Sequence, residues 1–91
     1  MKGQGETYAN GQIRQLLNDE VMTWFFKNGR IKAQGPYIDG KMEGLWTFYR
    51  ETGELWQQGE LRHDLKHGEW IRYDRDGSIE YRESFRDGKQ I

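Results

Sequence analysis

His63 and His67 stand four residues apart in one short segment with Asp64 and Glu69 beside them, a composition that could hold a metal ion. The spacing is that of two imidazoles on one helix face, converging on a single ion. Here the pair falls in a turn that ends at Gly68, and no third ligand is fixed, so solvated turn histidines and no metal are expected. Nucleophilic catalysis finds no support: Ser78 and Ser84 are the only serines, and neither sits in a strand-to-helix elbow. Carboxylates are plentiful but alternate with bases, the pattern of a solvated face rather than of a buried acid and base. Cysteine is absent, which removes a thiolate nucleophile, a thiolate metal site and a disulfide framework together. No catalytic residue and no cofactor is expected, and the chain is read as a protein other than an enzyme.

Composition narrows what remains. A chain of 91 residues is one domain that buries only roughly two-thirds of its unfolded surface, so a large enclosed site is unlikely to form. Hydrophobic residues are 34% of the total, yet 13 of them are aromatic, so a few large rings supply most of the burial. That suits a thin, extended sheet. Fourteen basic and 15 acidic residues interleave to a net charge of -1, which gives no field to draw in nucleic acid. The longest apolar run, Trp24-Phe25-Phe26, is far short of the roughly 20 residues of a membrane span. The first fifteen residues carry no apolar signal core either, and a cytoplasmic protein is expected.

The elements that must position any site come from an internal repeat. Met22 to Gly44, Trp46 to Gly68 and Trp70 to Gly88 align without a gap at a spacing of 24. Met22, Trp46 and Trp70 share a column, as do Gly29, Gly53 and Gly77; so do Phe25, Tyr49 and Tyr73, and Ile31, Leu55 and Ile79. A fixed period in this range marks one supersecondary unit stacked on copies of itself. Each copy reads as two strands. The first is aromatic and β-branched (21–26, 45–49, 69–73) and ends in a turn closed by glycine. The second alternates with period 2 (31–37, 55–61, 79–85), so one face is packed and the other wet. Second turns follow at Asp39-Gly40-Lys41, His63-Asp64-Leu65-Lys66 and Asp87-Gly88-Lys89. Pro36, the only proline, is expected at an unpaired position or a bulge.

Earlier in the chain, Met1 to Gly5 is polar and expected to be poorly ordered. Asn10-Gly11-Gln12-Ile13 echoes Asn28-Gly29-Arg30-Ile31 at a distance of 18. Ile13, Leu16 and Leu17 also fit one helical turn, but a short capping hairpin is preferred, because terminal repeats are atypical. The expected fold is all-β: a single-layer antiparallel meander of stacked hairpins over 1–91, with a degenerate cap at 1–21 and repeats at 22–45, 46–69 and 70–91.

Trp46 to Tyr49, Gly53-Glu54-Leu55, Gly59-Glu60-Leu61 and His67-Gly68-Glu69-Trp70, with their counterparts in the flanking copies, resemble the MORN repeat in its variant form, found in bacterial YwqK-type antitoxin-like proteins. The resemblance implies stacked hairpins in one elongated, twisted sheet and a non-catalytic role in protein interaction or toxin neutralisation. Phospholipid binding is the other role that it implies. The sequence departs from the pattern where Met22 replaces the leading tryptophan, Glu83 the strand glycine, and Arg72 the ring found as Trp24 and Phe48.

Residues present in every copy are read as structural: Trp46, Trp70, Leu55, Ile79 and the glycines Gly29, Gly53 and Gly77. Those that break their column are the candidates for contact. Trp56 replaces Lys32 and Glu80, whose column marks a solvent face, and is read as a partner-binding anchor. A one-residue change of register would place it beside Phe48 instead. Arg72 and Glu83 are the other candidates, either paired with each other or wetting an exposed edge. The expected partner is another protein, with a toxin as one form of it; a membrane surface and an edge-to-edge homodimer are the alternatives.

Overall fold

Gly29, Gly53 and Gly77 have φ of 90°, 106° and 91°, the left-handed backbone that ends a three-residue hairpin loop. Each loop is closed the same way: Phe26, Arg50 and Asp74 donate their N–H groups to the carbonyls of Arg30, Glu54 and Ser78 at 2.8, 2.8 and 2.9 Å. Tyr8 does the same to Gln12 at 2.8 Å around Gly11, so the echo at 18 residues is a fourth copy of the loop. At the other edge of the sheet the turns are two residues long, with positive φ at both positions of Asp19-Glu20, Asp39-Gly40, His63-Asp64 and Asp87-Gly88. That is the type I′ geometry, whose twist matches the strands that it joins.

Between these turns the computed structural model, which describes residues 7–91, contains strands and no helix. The strands are β1 (Gln15–Asn18), β2 (Val21–Phe25), β3 (Ile31–Ile38), β4 (Lys41–Met42), β5 (Gly44–Tyr49), β6 (Leu55–Arg62), β7 (Leu65–Tyr73), β8 (Ile79–Arg86) and β9 (Lys89–Gln90). All pairs are antiparallel and follow chain order, with β4 lying beside β3 as a short separate piece. Thr7 and Ile13 bridge ahead of β1, so the cap is a hairpin and not a helical turn. Met1 to Gly5 lies outside the described residues. The described sheet measures 41 × 33 × 19 Å, and 19 Å is one layer with side chains on both faces.

Thr23 apart, the buried side chains among the described residues lie on one face. Met22, Ala33, Trp46, Leu61 and Trp70 are buried there, with Trp24, Tyr37, Met42, Phe48 and Phe85 against them. Two glycines set the spacing of this core. The indole of Trp46 lies on Gly35 and that of Trp70 lies on Gly59, so closely that a Cβ at either glycine would fall among ring atoms. The indole N–H groups then reach the carbonyls of Pro36 and Glu60 at 2.8 and 2.9 Å, satisfying the one polar atom of each buried ring. Pro36 sits where the outer ladder of β3 jumps from Gln34–Thr47 to Tyr37–Met42, so its missing N–H interrupts nothing.

The opposite face is polar across its middle row. Thr23 pairs with Gln34, and Thr47 with Gln58, and in each pair the glutamine amide donates to the threonine hydroxyl, at 2.8 and 3.3 Å.

The expected alternation fails beside the glycine loop in every repeat, and β6 and β7 shift register once more between Gly59 and Glu60. Trp24 pairs with Ala33 but Phe25 with Ile31; Phe48 with Gln57 but Tyr49 with Leu55; Arg72 with Tyr81 but Tyr73 with Ile79. Lys32, Trp56 and Glu80 are the skipped residues, each a β-bulge set next to the glycine loop. A bulge exchanges the faces, so Ile31, Leu55 and Ile79 lie opposite the aromatic core instead of within it. Ile79 is 45% exposed as a result.

Neighbouring hairpins are also tied at their loops. Asn10 Nδ2 donates to the carbonyl of Lys27 and Asn28 Nδ2 to that of Glu51, both at 3.0 Å, and Arg50 donates to the carbonyl of Tyr73 at 2.9 Å. Asn28 Oδ1 also accepts from the backbone N–H of Arg30 at 2.9 Å. Replacing Asn28 by Ala removes both bonds and is expected to cost about 1 to 2 kcal/mol in urea unfolding. Asn28→Asp keeps the acceptor, loses the donor and sets a negative charge beside a carbonyl, so it is expected to recover little of that loss.

Candidate functional site

The packed face carries a line of rings that runs across the hairpins. Trp24 meets Tyr37 edge-on with centroids 6.2 Å apart and Trp46 at 5.0 Å; Phe48 lies 6.1 Å from Trp46 and 5.9 Å from Trp70. In the last repeat cations continue the line. Lys66 Nζ stands 4.9 Å from the Trp70 ring and 4.8 Å from Phe85. The Arg72 guanidinium lies 5.0 Å from Trp56 and 5.1 Å from Tyr81.

Strand pairing puts Trp24, Ala33, Phe48, Gln57, Arg72 and Tyr81 in one row, and their sizes decide where the row is open. Between Trp24 and Phe48 the intervening residue is Ala33, which is buried at the floor of a groove of about 380 Å³. Tyr8, Arg14 and Lys32 complete its rim. Between Phe48 and Arg72 the equivalent residue is Gln57, with Trp56 turned onto the same face by its bulge. The groove walls are anchored from behind: Tyr8 OH donates to the carbonyl of Phe25 at 2.7 Å, and Trp24 Nε1 donates to Gln15 Oε1 at 3.2 Å. Arg14 lies 5.2 Å above the Tyr8 ring, and Lys32 Nζ is 5.9 Å from Phe26. The groove offers flat apolar walls and a cationic rim to a side chain laid into it.

Trp56 is not on the solvent face where its column placed it. It is half-buried and covers Arg72, because the bulge reverses its parity. Arg72 does not pair with Glu83: its Nη2 donates to Gln57 Oε1 at 3.2 Å, while Glu83 Oε2 accepts from Gln90 Nε2 at 3.3 Å. Glu83 stands in the column of Gly35 and Gly59, opposite Trp70. Ala33, Lys32 and Tyr8 were not singled out by the sequence reading; the signal was present in the column Ala33, Gln57, Tyr81, whose first member is small.

Among the described residues the titratable side chains are held in separate loop contacts. His63 Nδ1 lies 2.6 Å from Glu43 Oε2 and its backbone N–H reaches Glu43 Oε1 at 3.1 Å, so this histidine fastens the β6–β7 turn to the chain beside β4. Asp64 adds two bonds to Met42, at 2.7 and 3.0 Å. Among the described residues no three His, Asp or Glu side chains gather to hold a metal. In the β7–β8 loop, a hydrogen bond between the Asp74 and Asp76 carboxyls raises the pKa of Asp74 and lowers that of Asp76, and Thr52 lowers that of Glu54. The sign follows from each direction. Asp76 contributes stability that is lost as pH falls through its folded value, and Asp74 contributes stability that is lost as pH rises through its own. All three carboxyls are exposed, and they belong to loop geometry.

A thin sheet of identical hairpins with a ring-lined, grooved face and no reactive cluster defines a β-repeat scaffold. The family description "MORN repeat variant" matches residues 21–39, 42–63 and 66–87, and the chain belongs to that family. MORN repeats are in general non-enzymatic and associate with proteins or membranes. No curated protein and no solved structure matches the chain. Among the described residues no helix is long and apolar enough to cross a membrane.

Proposed function

We propose that this protein is a non-catalytic binding module that takes a partner protein on its aromatic face. The observation that carries this reading is the groove above Ala33. It is walled by two rings on the face that holds the aromatic core, and among the described residues no catalytic set lines it. Trp56 and Arg72 extend the same face toward the C-terminal hairpin, and Glu83 borders it. A toxin is one form of such a partner, in keeping with the antitoxin-like proteins that the repeats resemble.

Filling the groove tests the proposal. Ala33→Leu raises the groove floor; because Ala33 is itself buried, a loss of about 1 to 3 kcal/mol is expected while thermal unfolding stays cooperative. Affinity capture is then run with the parent, Ala33→Leu, Trp56→Ala and a variant of the opposite face, Arg82→Glu. The expected result is a protein retained by the parent and by Arg82→Glu but lost from the other two; Trp56→Ala alone is expected to cost about 2 kcal/mol in affinity for it. Retention that ignores Ala33 and Trp56, or pelleting with anionic vesicles in place of any protein partner, would overturn the proposal.

A further inference from the structure

Arg72 occupies the place where the two preceding repeats carry Trp24 and Phe48. A cation there loses hydration to the rings around it: its guanidinium has Trp56 at 5.0 Å and Tyr81 at 5.1 Å, and Nε is sealed from solvent with no acceptor. One hydrogen bond, from Nη2 to Gln57 Oε1, is what the chain returns. Among the described residues no carboxylate lies within ion-pairing distance of it. Of the carboxylates on the flanking strands, Glu83 accepts from Gln90, Glu69 pairs with Arg82 at 3.8 Å, and Glu80, the bulge residue beside Tyr81, makes no ion pair with Arg72.

A half-buried guanidinium stacked on rings and short of a counter-ion is stabilised most by a planar anion presented to its outer edge, where Nη1 and Nη2 bind two oxygens at once and the sealed Nε takes no part. The fixed rings hold the fork in one orientation, so little side-chain freedom is left to lose on binding. Resting on the reading of this face as a protein-binding surface, we infer that Arg72 is a carboxylate-recognition position, and that the occupant is an acidic side chain of the partner protein set beside apolar residues. A phospholipid headgroup is the less fitting source. Of the exposed aliphatic residues, Leu16, Val21, Ile38 and Leu45 alternate onto the face opposite Arg72. Leu17, which pairs with Met22 on the Arg72 face, lies at the far end of the sheet, so little aliphatic surface for a bilayer stands beside the guanidinium.

Selection of a random displayed peptide library on the immobilised protein tests this. The expected peptides carry Asp or Glu at one shared position next to apolar residues. Changing that residue to Asn or Gln is expected to weaken binding about tenfold on the parent and less than about twofold on Arg72→Gln. Arg72→Lys is expected to remain impaired, because an ammonium cannot supply the paired bonds. Thermal melts of both variants establish that they remain folded. Selected peptides that need Ala33 and Trp56 but show no acid preference, or whose preference survives Arg72→Gln, overturn this inference and leave the binding-module reading in place. Failure to select any peptide, with phosphatidylserine vesicles pelleting the parent but not Arg72→Gln, overturns both and assigns the arginine to lipid.

Discussion

Urea unfolding of the Gly35→Ala protein is expected to show a loss of about 3 kcal/mol, although the change adds one methyl group. The reason is local. A Cβ on Gly35 would lie 2.5 Å from Cγ and Cδ2 of Trp46, a separation that carbon atoms do not tolerate. Trp46 cannot retreat, because it is fully buried and its Nε1 is bonded to the carbonyl of Pro36. The strain therefore goes into the β3–β5 seam, which joins the first full hairpin to the second. Gly40→Ala is the control: it adds the same methyl group at a turn with nothing within 4 Å, and its cost is set by its positive φ of 78° alone. A Gly35→Ala protein as stable as the parent would show that the indole is not seated on this glycine.

Trp46→Ala is expected to be the most damaging single truncation, at about 4 kcal/mol. The ring is 0% exposed, bridges Trp24 to Phe48, and has no neighbouring side chain long enough to refill its place. In a domain whose whole stability is of the order of 5 to 14 kcal/mol, that is a large share. Trp46→Phe keeps a ring and loses the indole bond, so about 1 to 2 kcal/mol is expected. The two sites are coupled: with Trp46 removed, Gly35→Ala has nothing to strike, and the double variant is expected to lose less than the two single losses added together. Additive losses would place the two residues in independent surroundings.

How far the fold was legible follows from what repeats and what does not. Turn glycines and large rings recur at 24 residues, so hairpin order, the single antiparallel sheet and the shortened N-terminal copy could be read directly. The bulges could not. Lys32, Trp56 and Glu80 share no residue type, because the skipped position is set by the twist of the glycine loop and not by a side chain. That omission moved Ile31, Leu55 and Ile79 to the wrong face and turned Trp56 outward. The groove was hidden for a different reason: it is an empty place, made by the smallness of Ala33, and an absent side chain has no column pattern of its own. His63 was read with its neighbour His67, four residues on, whereas its partner Glu43 lies 20 residues back, one hairpin away across the edge of the sheet.

Glu83 has a consequence for how long such a protein can be. In the two earlier copies the matching glycine is the seat for the next indole, so each hairpin prepares the surface on which its successor docks. A carboxylate in that seat refuses an identical successor. Restoring glycine there gives up the bond from Gln90 and opens the seat, so that a further 24-residue copy grafted beyond it would lengthen the scaffold by one unit.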